Sequence, residues 1–263
     1  MKQAIITILL SFFLINSYAG RPCENSTLET PEKLSFVSNI AEKINTSLKQ
    51  KNVKVALIAR VGQDLSKYNL KYSHVGFIYK DEQGYSVIHE LNTCGTADSA
   101  LYSQGLGNFF LDDPFTYETM TYVPSVELQN RLYEMLTKEK FKAFHEKKYN
   151  MLSFPFSIKY QNSNQFVLEA LASVMSREIE ILDRSSAQTW LKLVGYEPST
   201  LNIDAVTRLG ARITKANIAF DDQPFDRRMA GLIDTVTVDS IFKFMEKKDK
   251  TGYFIHLLGD SKK

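Results

Sequence analysis

The chain has 263 residues, with 32 Lys and Arg against 30 Asp and Glu and a formal net charge of +2. The basic residues are scattered rather than gathered into a block, which argues against a nucleic-acid partner. Four histidines and two cysteines are the scarce reactive groups, so imidazole or thiol chemistry is confined to a handful of positions.

Met1-Lys2 is followed by an apolar run from Ala4 to Ile15, broken only by Thr7 and Ser11, and then by Ser17-Tyr18-Ala19 before Gly20. A basic start, a short apolar core and a small-residue exit predict a secretory signal peptide over residues 1–19. The core is shorter than the roughly 20 residues needed to cross a bilayer, so the expectation is a periplasmic or secreted protein with no membrane span after cleavage; an uncleaved anchor is the alternative. Residues 20–263 suffice for a single domain with a helical extension from position 180 onward. Cys23 lacks the Leu-x-Gly-Cys context of a lipid-modified cysteine. In an oxidising compartment Cys23 and Cys94 are expected to form a disulfide that staples the N-terminal arm to the strand region. The competing reading makes Cys94 a reactive thiol near His89.

Leu34, Val37, Ile40, Ala41, Ile44 and Leu48 recur at helical spacing from Pro31, with Thr30 or Pro31 opening the helix. Val53 to Ile58 reads as a strand ending in a polar turn, Ala59 to Asp64. Two strands, near 74–79 and 85–91, are joined by Lys80-Asp81-Glu82-Gln83-Gly84, a hairpin loop. They carry His74 and His89 on neighbouring segments. Alternation sets His74 on the face opposite Val75 but does not decide whether His89 or Glu90 shares its side.

Ala100 to Thr116 is rich in Gly, Phe and Asp and reads as a packed loop or short helix before a strand at Tyr117 to Val123. Asp112-Asp113 without a calcium-loop pattern is no metal site, and neither a metal nor another cofactor is expected. A helix is expected from Ser125 to Leu136. His145 falls in a charged, surface-like stretch and is assigned no role, and His256 is read as structural. Further helices are expected around Trp190 and from Ile203 to Ala219, with a strand or strand-to-helix transition at Thr235 to Ser240; together these would cover the site.

Asn162 followed by Gln165 predicts a capping box, after which Phe166, Val167, Ala170, Leu171 and Val174 form an apolar stripe. Ser163 then sits at the positive end of a helix, where free amides stabilise an anion. A serine that merely caps a helix is the plainer reading of this segment alone.

Ala56-Leu57-Ile58-Ala59-Arg60, Tyr72-Ser73-His74-Val75-Gly76-Phe77, Val87-Ile88-His89 and Asn162-Ser163-Asn164-Gln165-Phe166-Val167 together resemble the circularly permuted papain-like superfamily. That group includes NlpC-type cell-wall peptidases and relatives of lecithin:retinol acyltransferase. The resemblance implies an α+β fold with a central antiparallel sheet packed by helices. It makes His74 the general base, His89 the residue that orients it, and Ser163 the occupant of a position where the superfamily has cysteine. Gln63, Tyr72, Tyr160, Asn162, Asn164 and Gln165 become oxyanion or substrate-binding candidates. The chain also resembles a family of bacterial secreted proteins, on Arg60 to Ser66, Cys94 to Ala97, Gly107 to Asp113, Tyr160 to Gln165 and Phe220-Asp221-Asp222.

Ser163 is the departure that matters. A thiol near pKa 8.5 ionises readily beside a histidine, whereas an alcohol needs a base during attack and donors for the oxyanion. The sequence therefore supports an exported hydrolase or acyltransferase acting on a peptidoglycan peptide or lipid acyl group. The alternatives are an inactive cell-envelope binding module and a thiol enzyme using Cys94.

Overall fold

The computed structural model describes residues 30–82, 84–111 and 115–258. The expected leader, Cys23 and Asp112-Asp113 lie outside them. The elements run α1 (Pro31–Gln50), β1 (Val55–Val61), β2 (His74–Asp81), β3 (Gly84–Asn92), β4 (Ser99–Gly105), α2 (Leu106–Leu111), β5 (Thr116–Val123), α3 (Val126–Thr137), α4 (Ser163–Met175), α5 (Arg184–Leu193), β6 (Ser199–Asn202), α6 (Ala205–Thr214), α7 (Phe225–Met229), β7 (Leu232–Thr235), α8 (Val238–Lys248) and β8 (Tyr253–Leu258). Six strands form one antiparallel sheet in the order β4-β3-β2-β1-β5-β8, and β6 and β7 form a separate ribbon. This is a mixed α+β fold, an antiparallel sheet packed by helices.

Helices cover both faces of the sheet, so its central strand is apolar on both sides and β1 is buried from end to end. Leu57, Ala59, Val75, Phe77 and Ile88 pack toward Phe166, Val167, Ala170 and Leu171 of α4. Ala56, Ile58, Ile78 and Val87 pack on the opposite face against Val37, Ile40, Ile44 and Leu48 of α1 and Phe109 and Phe110 of α2. This double cover explains one departure from the sequence reading. The expected polar turn at Ala59 to Asp64 begins later, because the strand runs on to Val61 with Arg60 buried on the Phe109 side.

Other segments also depart from expectation. Ala100 to Thr116 holds the short helix α2, one of its two expected forms, but its first part completes an edge strand, β4, that was not expected. The helix expected over Ile203 to Ala219 spans only Ala205–Thr214. Thr235 to Ser240 does take the strand-to-helix form expected of it: Thr235 ends β7, and Thr237 caps α8 through a box with Ser240. The expected Cys23–Cys94 staple is not part of the described fold: Cys23 lies outside it, no disulfide joins two described residues, and the described strands are held by their ladders and core. Cys94 nevertheless carries no free thiol, which removes the reading of Cys94 as a nucleophile.

The feature that positions the site is an opening in the ladder. β2 and β3 pair from Asp81↔Gly84 to Phe77↔Ile88, while β2 stays paired to β1 as far as Arg60↔His74 and β3 stays paired to β4 as far as Asn92↔Ser99. Gly76 lies where the two strands begin to part. A Cβ there would meet Val87 Cγ1 at 2.8 Å, the Ile88 carbonyl oxygen at 3.0 Å and His89 Cβ at 3.1 Å, so glycine permits the close approach beneath the two histidines.

Candidate functional site

The start of α4 fills the opening between β2 and β3. Asn164 takes the place of the missing strand neighbour: its Oδ1 accepts from the Val75 amide at 3.2 Å and its Nδ2 donates to the Ser73 carbonyl at 3.3 Å. Asn162 caps the helix, accepting from the Gln165 amide at 2.8 Å, and its Nδ2 donates to Thr235 Oγ1 at 3.0 Å. Ser163 is held between these two asparagines, tied on one side to the sheet and on the other to the C-terminal part of the chain.

Ser163 Oγ lies 3.1 Å from His74 Nδ1, His74 Nε2 lies 2.8 Å from His89 Nδ1, and His89 Nε2 lies 3.2 Å from Gln104 Oε1. One proton arrangement satisfies every contact. Gln104 Oε1 can only accept, so His89 donates from Nε2 and accepts at Nδ1; His74 then donates from Nε2 and accepts the Ser163 hydroxyl at Nδ1. The result is a directed chain, Ser163 to His74 to His89 to Gln104, ending on the edge strand β4. The structure thus selects His89 over Glu90 as the partner of His74.

The chain is nearly closed to solvent, with Ser163 6 % and His74 8 % exposed and His89 fully buried. Burial first, then the Arg60 guanidinium and His89, hold His74 well below the usual imidazole range. His74 is therefore neutral at neutral pH and free to accept a proton. Arg60, opposite it on β1, donates to the Phe109 carbonyl and lies over the Phe109 ring at 4.9 Å.

Tyr149 is buried near the same serine, whose hydroxyl and amide oppose the rise in its titration. Burial, reinforced by the Glu90 carboxyl, raises Tyr149 above its ordinary value and keeps it protonated. Glu90 is fully buried on the other face of β3, and neither carboxylate oxygen has a hydrogen bond. The nearby Ser99 hydroxyl is committed to His145 Nε2 and the Glu146 carbonyl. Burial pushes the Glu90 carboxyl up to about 8, so it is mostly protonated at neutral pH.

The other expected site residues fall into two groups. Asn162 and Asn164 position Ser163, as described. Gln165 is spent in the core, where Ser153 Oγ donates to its Oε1 and its Nε2 donates to Glu169 Oε1 at 2.9 Å; the expected capping box therefore has only its Asn162 half. Gln63 is exposed at the end of the β1 segment. The Tyr72 hydroxyl donates to Glu118 at 3.1 Å and the Tyr160 hydroxyl to Asp221 at 3.4 Å, neither reaching Ser163. Arg60, Gln104 and Tyr149 were not singled out by sequence reasoning. Gln104 lay in the segment read as a loop, and Tyr149 carries no local motif.

Beneath Ser163, Glu169 anchors α4. Its Oε2 accepts from Gln161 Nε2 at 2.6 Å and Arg184 Nε at 2.7 Å, and its Oε1 accepts from Gln165 and from Gln188 Nε2 at 2.7 Å. Among the described residues no group of three or more His, Cys, Asp or Glu is placed to hold a metal ion, and no helix is long and apolar enough to cross a membrane.

No curated protein and no solved structure significantly matches the chain. A family model described as "Uncharacterized protein conserved in bacteria (DUF2145)" matches residues 47–245, a span that takes in β1, both histidine strands, Ser163 and most of the C-terminal cover. The chain belongs to that bacterial family.

Proposed function

We propose that the protein is an exported acyl-transfer enzyme, a hydrolase or acyltransferase of circularly permuted papain-like type with serine as nucleophile. The observation that carries this reading is the unbroken hydrogen-bond chain from Ser163 through His74 and His89 to Gln104 at the start of a buried helix. Its chemistry would be as follows. Ser163 Oγ attacks an ester, thioester or amide carbonyl while its proton passes to His74 Nδ1. His89 holds His74 Nε2–H, fixing the tautomer and ring orientation, and Gln104 does the same for His89. The tetrahedral oxyanion is received by the Ser163 and Asn164 amides, which point from the first turn of α4, and by the Tyr149 hydroxyl. His74 then returns the proton to the leaving group, and water or a second acceptor releases the acyl chain.

The environment also sets the limits of this chemistry. Among the described residues no carboxylate faces His74, and both Arg60 and the helix N-terminus disfavour the imidazolium formed during attack. We infer that turnover is slow with serine and that the same site would serve a thiolate better. Export, read from the leader, places the substrate among peptidoglycan peptides or lipid acyl groups.

A fluorophosphonate probe tests the proposal. Labelling of the wild type at Ser163, its loss in Ser163→Ala and a reduction of ten-fold or more in His74→Ala are expected. Absence of labelling in the wild type, with unchanged affinity for a bound peptide or acyl ligand in Ser163→Ala, would instead make the fold a binding module. In Ser163→Cys, iodoacetamide should alkylate position 163 faster than a free cysteine at pH 7.

A further inference from the structure

Helix α6 has its apolar stripe on the outside. Val206, Leu209 and Ile213 recur at i, i+3 and i+7, a spacing that normally faces a core, yet they are 81 %, 62 % and 75 % exposed, and no residue of the helix is buried. The side turned toward the body carries Arg208 and Ala211, both only partly exposed, and Arg208 Nη1 donates to the Ile203 carbonyl at 2.5 Å. On the same ribbon, α7 leaves Phe225 and Met229 exposed, one helical turn apart.

Between the capping Asp204 and the end of the helix the charge is basic. From Ala205 to Lys215 the chain carries Arg208, Arg212 and Lys215 and no acidic residue. Arg212 is exposed and lies at the edge of the apolar stripe on a helical projection. An apolar face bordered by arginine matches an anionic lipid surface, where the side chains enter the acyl boundary and the guanidinium remains at the headgroups.

The segments that flank the helix bond to neighbours of the site residues. Just after α6, Asn217 donates to Asn92 Oδ1 at 3.0 Å and its carbonyl accepts from the Met151 amide at 2.9 Å; Ala219 is stitched to Asn150, the neighbour of Tyr149. Just before it, the ribbon of β6 and β7 leads to Thr235, which contacts Asn162. The chain on either side of α6 is thus tied, through Asn150 and through the β6–β7 ribbon, to the neighbours of Tyr149 and Ser163.

We propose that α6, helped by Phe225 and Met229, docks the protein on an anionic lipid surface with the Ser163 site facing that surface. The docking stands on the helix itself; only what it would present to Ser163, a lipid acyl group, rests on the function proposed above.

Vesicle flotation of the purified protein tests it. The protein should float with phosphatidylglycerol–phosphatidylethanolamine vesicles and stay behind with phosphatidylcholine alone. The triple variant Val206→Ser, Leu209→Ser, Ile213→Ser should bind at least ten-fold more weakly, with unchanged circular dichroism and unchanged fluorophosphonate labelling in solution. Arg212→Glu should weaken binding to anionic vesicles by several fold. Ser163→Ala should float like the wild type, so a failure of the acyl chemistry and a failure of docking are read separately. Equal flotation of wild type and triple variant, or no flotation of either, would overturn the proposal. So would a concentration-dependent dimer that the triple variant abolishes, because a second copy would then be the occupant.

Discussion

Helices α4 and α6 begin alike, Asn162 accepting from the Gln165 amide at 2.8 Å and Asp204 from the Thr207 amide at 2.9 Å, and they occupy opposite environments. Nearly every side chain of α4 is buried, including the polar Ser163, Asn164, Gln165 and Glu169, whereas no residue of α6 is. Capping is local and sets where a helix starts; the neighbours decide what it is for. In α4 each buried polar group has a partner, so the helix holds Ser163 in one place. In α6 the apolar residues have none in the fold, so the helix is available to something outside it.

The largest effect should come from breaking the anchor of α4. Glu169→Ala takes from Arg184 and three glutamine amides their shared charged acceptor, leaving them only backbone carbonyls in a buried network, a loss of about 3–5 kcal/mol. Urea denaturation should show either that loss or no folded protein; a variant within 1 kcal/mol of wild type, taking ~1 kcal/mol as the scale of an ordinary hydrogen bond, would mean the network does not anchor the helix.

Glu90 is the contrasting carboxyl, buried without partners. Its folded value of about 8 lies above an ordinary value of 4.5, so between those limits the folded state holds a proton that the unfolded state releases. Stability from this group is fully present below pH 4.5 and falls as pH rises toward 8, by a few kcal/mol in all. His74 works in the other direction. Its folded value lies below 6.5, so its contribution is complete above that pH and is lost as pH falls beneath it. Thermal melts from pH 4 to 9 should show Glu90→Gln flattening the alkaline decline; an unchanged slope would place the decline elsewhere.

Gly76→Ala should follow, at about 1–3 kcal/mol, since the added methyl meets the Ile88 backbone as well as two side chains. The chemical shifts of both imidazoles should move with it, and an unperturbed histidine pair would show that the strands can part without cost. The smallest effect is expected on α6, where Leu209→Ser should change stability by only about 0.5 kcal/mol in either direction. A larger loss would mean that Leu209 packs within the fold and would remove the contrast with α4.

Much of this arrangement was legible in the sequence because it rests on short-range patterns. The apolar spacing of α1, the Gly84 hairpin of β2 and β3, and the Asn162 cap each depend on a few adjacent residues. What was missed depends on distant contacts. Arg60 reads as a turn residue until α2 is seen to cover the second face of β1. Gln104 and Tyr149 join the site only through the pairing of β4 with β3 and the packing of the segment before α4. The alternation of β3 could not choose between His89 and Glu90, because both are buried; they differ only in what lies across from them. For α6 the spacing was read and its direction was not, since periodicity marks an apolar face without saying which way it looks.

The account turns on the protonation order along Ser163, His74, His89 and Gln104. The most direct measurement is nitrogen-15 NMR of the two imidazoles at pH 7, assigned with His74→Gln and His89→Gln. The account predicts both rings neutral and protonated at Nε2, with His74 Nδ1 hydrogen-bonded and perturbed in Ser163→Ala. A charged His74, or a ring carrying its proton on Nδ1, would contradict it, because the serine would then have no base to receive its hydrogen.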